Sequence, residues 1–159
     1  MLKDLTHRIH NQLIKKNKTI SVAESCTGGL LSSLLTSLPD SSHYFLFGAV
    51  TYSNESKTKI LSIPSKTIAK YGAVSQEIAK LMAHNIRRKF PASDFGLSIT
   101  GIAGPGGATP GKSIGTVYIC LAAGRKQICR KFNFSGNRGA IRKKSAEAAL
   151  RLLCAHLSP

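Results

Sequence analysis

Apolar residues recur every three to four positions over residues 2–16, where Leu2, Leu5, Ile9 and Leu13 share one helical face. The pattern then shortens. "KTISVAE" (18–24) reads as a buried strand, "SCTGG" as a small-residue turn and "LLSSLLTSL" (30–38) as a short apolar helix. "FLFGAVTY" (45–52), aromatic and β-branched, predicts a second strand. Residues 53–72 suggest short helices and turns. Ser75 stands as an N-cap before a stripe of Ile78, Leu81, Met82 and Ile86. Three further strands follow, "FGLSIT" (95–100), "IGTVYICLAA" (114–123) and "QICRKFNF" (127–134), the last two joined by a turn at Gly124. A final helix spans roughly 138–157. Strands alternating with helices imply parallel pairing and a sheet covered on both faces, and the last three strands are close enough for an antiparallel meander. The expected architecture is α/β, a single three-layer α/β/α sandwich with a mixed sheet.

Composition adds little to this picture, and charge adds more. The 159 residues, 42% hydrophobic and 19% charged, suit one globular domain with a real core. No apolar run reaches membrane-spanning length, and the N-terminus lacks an apolar secretory segment. Cys26, Cys120, Cys129 and Cys154 are scattered, which favours reduced thiols over a disulfide framework or zinc site. A cytoplasmic location follows as the expectation. Lys and Arg number 23 against 7 acidic residues, a net charge of +16, which attracts polyanions. The basic residues are dispersed and no nucleic-acid-binding motif accompanies them, so nucleic-acid binding is not the favoured reading.

Two glycine-rich stretches invite a phosphate. Gly106 to Ser113, "GGATPGKS", fits the P-loop pattern letter for letter. A P-loop opens into a helix whose N-terminus holds the phosphates. Here Ile114, Thr116, Val117, Tyr118 and Ile119 follow, a strand pattern, so the match is read as fortuitous. "VAESCTGG" (22–29) does sit between a strand and a helix, where the N–H groups of Thr27, Gly28 and Gly29 could face an anion.

"AESCTGG" (23–29), "VTYSNESK" (50–57), "GAVS" (72–75), "TGIAGPGG" (100–107), "GTVYIC" (115–120) and "FSGNR" (134–138) together resemble one family. It is the CinA C-terminal domain family, whose stand-alone members are nicotinamide mononucleotide deamidases. The resemblance runs from about Ile20 to Leu157 and implies one amidohydrolase domain over 1–159, of the stand-alone form. It also implies hydrolysis of nicotinamide mononucleotide to nicotinate mononucleotide and ammonia, by a Ser–Lys mechanism without metal or cofactor. By motif position the nucleophile is expected at Ser42 in "DSSHYF" and the base at Lys57, with Tyr52 and Thr100 at catalytic-site positions. Glu24, Ser25, Thr27, Gly28, Gly29, Gly101 and Gly104 fall in substrate-binding loops, and Arg138 near the substrate. A small pyridine nucleotide is the expected partner, with no membrane partner, and a homo-oligomer is expected.

Elementary chemistry accepts these roles. A serine hydroxyl needs a base within hydrogen-bond reach, and a lysine serves when burial or positive charge makes it neutral. Lys57 follows an apolar strand, so part-burial is expected. Loop N–H groups or the Thr100 hydroxyl could hold an oxyanion, and Arg138 suits a phosphate. Ser41 adjoins Ser42, so a register error of one would move the nucleophile. Cys26 reads as a small packed residue, since no histidine motif accompanies it. Asn137 stands where family members often have Asp, and Ser113 where they often have Pro; these departures bear on substrate affinity. Two other readings stand beside the amidase: a non-catalytic nucleotide-binding module of the same fold, and a basic nucleic-acid-binding protein.

Overall fold

A computed structural model of the chain describes residues 2–158. The order of elements is α1 (Leu2–Lys15), β1 (Ile20–Glu24), α2 (Leu30–Leu35), a 3-10 turn at Ser41–His43, β2 (Phe45–Val50), α3 (Asn54–Leu61), α4 (Ser65–Tyr71), α5 (Gln76–Lys89), β3 (Phe95–Gly101), β4 (Thr116–Ala123), β5 (Lys126–Asn133) and α6 (Arg138–Leu157). One five-stranded sheet runs β2-β1-β3-β4-β5. β1 pairs in parallel with β2 and β3, whereas β3, β4 and β5 form an antiparallel meander. The expected mixed α/β/α sandwich is the architecture found.

Strand alternation sorts the two faces. Ile20 and Val22 of β1, Leu97 and Ile99 of β3, and Val117, Ile119 and Leu121 of β4 meet Ile9 and Leu13 of α1, Leu31 and Leu35 of α2, and Leu150 and Leu153 of α6. The alternate positions are smaller. Ala23 meets Leu61, Ile68, Ile78, Met82 and Ile86 of α3 to α5, while Cys120 and Ala122 meet Ala79 and Ala83 of α5. α5 therefore lies close on the sheet. A Cβ at Gly96 would stand 2.1 Å from the Ala83 carbonyl oxygen, so only glycine allows this approach. Each fully buried Leu or Ile contributes about 1.5–3 kcal/mol relative to exposure. Among the described residues no helix is long and apolar enough to cross a membrane.

Local chemistry trims the expected elements. β1 starts at Ile20, since Asp94 holds Lys18 (2.8 Å) and accepts from the Thr19 backbone N–H (2.9 Å). β2 ends at Val50; the Thr51 N–H still donates to the Glu24 carbonyl (2.8 Å), after which Ser53 caps α3 by accepting from Ser56 N–H. Residues 53–72 resolve into two helices, α3 and α4. Ser75 caps α5 by accepting from Ile78 N–H at 3.3 Å, as its position predicts.

Candidate active site

The parallel strands β1 and β3 end side by side, and a cleft of about 260 Å³ opens beyond their carboxyl ends, where open α/β sheets place ligands. Ser25, Cys26, Tyr52, Lys57, Thr100, Arg138 and the loop from Gly101 to Gly107 line it, with Ala73 and Val74.

Lys57 sits in the first turn of α3, on the face that also buries Leu61. Helical side chains lean toward the helix N-terminus. The Lys57 chain therefore runs back to the segment just past β2, where its Nζ meets the Thr51 carbonyl at 2.6 Å and the Tyr52 carbonyl at 3.3 Å. The third neighbour is Ser25 Oγ at 3.2 Å. Lys57 is 1% exposed and, among the described residues, pairs with no carboxylate. Burial therefore lowers its pKa to about 8, against a small opposing effect of Cys26.

Ser25 follows the last residue of β1 and points to the face opposite Glu24. The Glu24 carboxylate is buried on the α2 side and accepts four hydrogen bonds: from the N–H groups of Gly29 (3.0 Å), Leu31 (3.0 Å) and Ser32 (2.8 Å), and from Ser32 Oγ (2.7 Å). These bonds fasten the start of α2 to the end of β1 and so set the turn that carries Ser25. Gly28 (φ 58°) and Gly29 (φ 96°) take left-handed backbone within that turn, where side chains are strained. Glu24, Thr27, Gly28 and Gly29, expected at the substrate, do not line the cleft. They shape the turn behind it: Thr27 is buried and its carbonyl accepts from Arg142 Nη2 at 2.7 Å.

The structure does not bring Ser42 to Lys57. Ser42 is exposed in the 3-10 turn before β2, whereas Lys57 lies past the far end of that strand. Six strand residues, about 20 Å at roughly 3.3 Å each, separate the two ends. Ser41 lies in the same turn, so a shift of one residue does not help. The serine that meets Lys57 is Ser25, which motif position had placed among the binding residues.

Arg138 opens α6, behind the Asn137 cap whose Oδ1 accepts from Ala140 N–H at 2.9 Å. Asparagine thus performs the capping an aspartate would. The exposed guanidinium donates to the Gly104 carbonyl (2.8 Å) and to the Tyr52 hydroxyl (2.7 Å), joining the glycine loop to the far wall. The Thr100 hydroxyl donates to the Ala73 carbonyl at 2.8 Å and is not free for an oxyanion. Ser113 ties its loop to the end of β5, its Oγ donating to Asn133 Oδ1 at 3.2 Å. Burial pushes the Cys26 thiol up to about 11, so it stays protonated, as a packed residue does.

The P-loop-like stretch is a tight turn, with Thr109 and Lys112 exchanging backbone hydrogen bonds (3.0 and 2.9 Å) before the chain enters β4. Lys112 Nζ donates to the Tyr71 carbonyl at 3.0 Å and lies outside the cleft. Among the described residues, no three His, Cys, Asp or Glu side chains gather as a metal-ligand set.

The family model of the CinA C-terminal domain matches residues 2–157. A CinA-like protein of Endomicrobium trichonymphae is 49% identical over 89% of this chain, and one of Desulfotalea psychrophila 48% over 91%. These alignments cover 33% and 35% of the relatives, so the chain spans about a third of their length. Among solved structures, a CinA superfamily protein of Klebsiella pneumoniae superposes with a TM-score of 0.94 at 30% identity, covering 99% of this chain and 98% of that one. A competence or damage-inducible protein of Enterobacter asburiae gives 0.94 at 32% identity, covering 99% of each. Matched over nearly its whole length in sequence and in fold, the chain belongs to the CinA C-terminal domain family.

Proposed function

We propose that the cleft is a nicotinamide-nucleotide amidase site, hydrolysing nicotinamide mononucleotide to nicotinate mononucleotide and ammonia in pyridine nucleotide salvage, with Ser25 as nucleophile and Lys57 as general base. The observation that carries the reading is the buried Lys57 amine, without a carboxylate partner, 3.2 Å from the Ser25 hydroxyl. The family resemblance supplies the substrate class.

A neutral amine has two N–H donors and one lone pair. The Thr51 and Tyr52 carbonyls accept the two N–H bonds, which leaves the lone pair for the Ser25 O–H. Ser25 Oγ attacks the carboxamide carbon while Lys57 takes its proton. The Cys26 N–H group, in the cleft lining, donates to no backbone acceptor among the described residues and serves the oxyanion. Protonated Lys57 then gives its proton to the departing nitrogen, which leaves as ammonia, and an ester on Ser25 remains. Water, deprotonated by Lys57, attacks that ester; nicotinate mononucleotide departs and the proton returns to Ser25. Arg138, exposed at the cleft mouth and braced by Gly104 and Tyr52, receives the phosphate.

An ammonia-release assay across nicotinamide, its riboside, its mononucleotide and NAD tests the reading. The expected result is ammonia from the mononucleotide in greatest amount, abolished in Ser25→Ala. Ammonia from none of the four overturns it.

A further inference from the structure

Away from the cleft, Cys120 of β4 and Cys129 of β5 are direct partners across the antiparallel ladder. Opposed residues in such a ladder point to the same face, with Cβ atoms about 4.5–5.5 Å apart. A disulfide needs about 3.5–4.5 Å, so bridging the pair takes a movement of about 1 Å or less. The face is the one covered by α5. Cys120 is fully buried against Ala79, Ala83 and Ala122, and Cys129 packs on this cluster partly buried. One cysteine is therefore inside the cluster and the other at its margin.

The surroundings divide the two thiols. Hydrogen bonding from the Cys120 thiol is the largest influence holding the Cys129 pKa below its ordinary value; the Lys80 ammonium and the Arg130 backbone N–H add to it, while burial and Glu77 oppose. Lys80 is held beside β5, its carbonyl accepting from Gln127 Nε2 at 3.1 Å. The same hydrogen bond, with burial, raises the Cys120 thiol. A partly exposed thiol of lowered pKa beside a fully buried one is the arrangement of a peroxide-sensing pair.

We propose that Cys120 and Cys129 form a reversible dithiol–disulfide site, oxidised by a hydroperoxide, that staples the edge strand β5 to β4. The Cys129 thiolate attacks a peroxide oxygen; an S–O bond forms, the O–O bond breaks and hydroxide leaves. The Cys120 sulfur then attacks the Cys129 sulfenic acid; the S–S bond forms, the S–O bond breaks, and hydroxide leaves with the Cys120 proton as water. Two thiols and one hydrogen peroxide give one disulfide and two waters. A pair at directly opposed strand positions makes a strained bridge, which an external dithiol reduces readily. Neither cysteine lines the Ser25–Lys57 cleft, so the site stands apart from the proposed amidase chemistry.

The test uses the full chain, reduced and then exposed to hydrogen peroxide. Remaining thiols are alkylated, and peptides are mapped by mass before and after dithiothreitol. The expected result is a Cys120–Cys129 link that dithiothreitol reverses, with Cys26 and Cys154 alkylated. Before oxidation, limiting iodoacetamide should label Cys129 at least about tenfold faster than Cys120. In Cys120→Ser the reaction should stop at a Cys129 sulfenic acid trapped by dimedone, and in Cys129→Ser Cys120 should stay a thiol. Wild-type mapping decides the matter even where a variant folds poorly. Four alkylated thiols after peroxide, a link through Cys26 or Cys154, or bridges only between chains would each overturn the proposal.

Discussion

Lys57 Nζ lies 3.2 Å from Ser25 Oγ although 32 residues separate the two in the chain. The contact joins the turn after β1 to the first turn of α3. Because β1 and β2 are parallel neighbours, the segments that leave their carboxyl ends emerge side by side. Glu24 turns to one face to fasten α2, so Ser25 turns to the other and meets Lys57.

The two residues should therefore fail together. Ser25→Ala and Lys57→Ala each remove the same step, and the double variant should be almost no worse than either, because losses within a catalytic unit do not add. Each should cost roughly 10³-fold or more in kcat on nicotinamide mononucleotide. Ser42→Ala should stay within about threefold of wild type, a change under 1 kcal/mol. An inactive Ser42→Ala with an active Ser25→Ala would reverse the assignment.

A base must be neutral to act. With the Lys57 pKa lowered to about 8 by burial, kcat/KM should rise with pH and level off above that value. Lys57→Arg should be inactive across the whole range, since guanidinium holds its proton throughout. A profile flat from pH 6 to 10 would remove Lys57 from the proton transfer.

Arg138 separates phosphate binding from chemistry. Arg138→Ala should raise KM for the mononucleotide by about tenfold to a hundredfold, the loss of a charge-assisted contact of roughly 1.5–3 kcal/mol. Hydrolysis of the riboside, which has no phosphate, should change far less. Equal losses on both substrates would mean that the guanidinium acts through Gly104 and Tyr52 rather than on phosphate.

Glu24 is expected to act on stability. Its carboxylate accepts four hydrogen bonds in the interior. Glu24→Gln turns an amide toward N–H donors and should cost on the order of 3 kcal/mol, about 6–12 °C in Tm for a chain of this size. Substrate KM in the remaining folded protein should be little changed. Thermal melting and saturation kinetics on one preparation distinguish this from a binding role.

The hydrophobic pattern announced nearly every element, because core-facing positions recur with the period of helix or strand and few glycines or prolines interrupt them. Asp94 and the Glu24 carbonyl, which trim β1 and reach past β2, act from elsewhere in the chain and leave no local mark. Lys57 was legible through its motif. Ser25 lies in the AESCTGG motif, whose position implies a binding residue; nothing local says which strand ends adjoin. Strand parity carried a hint: a residue next to a buried Glu24 must face the other side. The Cys120–Cys129 pair was hidden by register: a strand starting at Gln127 leaves three residues in the turn, whereas β5 starts at Lys126 and a two-residue turn at Gly124 and Arg125 sets the two cysteines opposite each other.

The buried amine should also mark the stability of the protein against pH. Lys57 has a folded pKa of about 8, whereas a lysine in the unfolded chain titrates near 10.4. Below pH 8 both states hold the proton, and burial of the charged amine weakens the fold by a constant amount. Between about 8 and 10.4 the unfolded chain binds the proton and the folded chain has released it. Unfolding free energy therefore rises with pH through that window, by up to about 1.4 kcal/mol per pH unit. Cys26 works in the opposite direction: its thiol is pushed up to about 11, so the unfolded chain releases that proton first as pH climbs past roughly 8.5. The quantity to measure is the difference between wild type and Lys57→Met, which keeps most of the side-chain volume and removes the titration. Urea unfolding at half-unit steps from pH 7 to 9.5 should show Lys57→Met the more stable protein at pH 7, with its advantage shrinking as pH rises. A difference that stays constant over those steps would mean that Lys57 keeps its proton in the folded protein, which would also remove it as the base for Ser25.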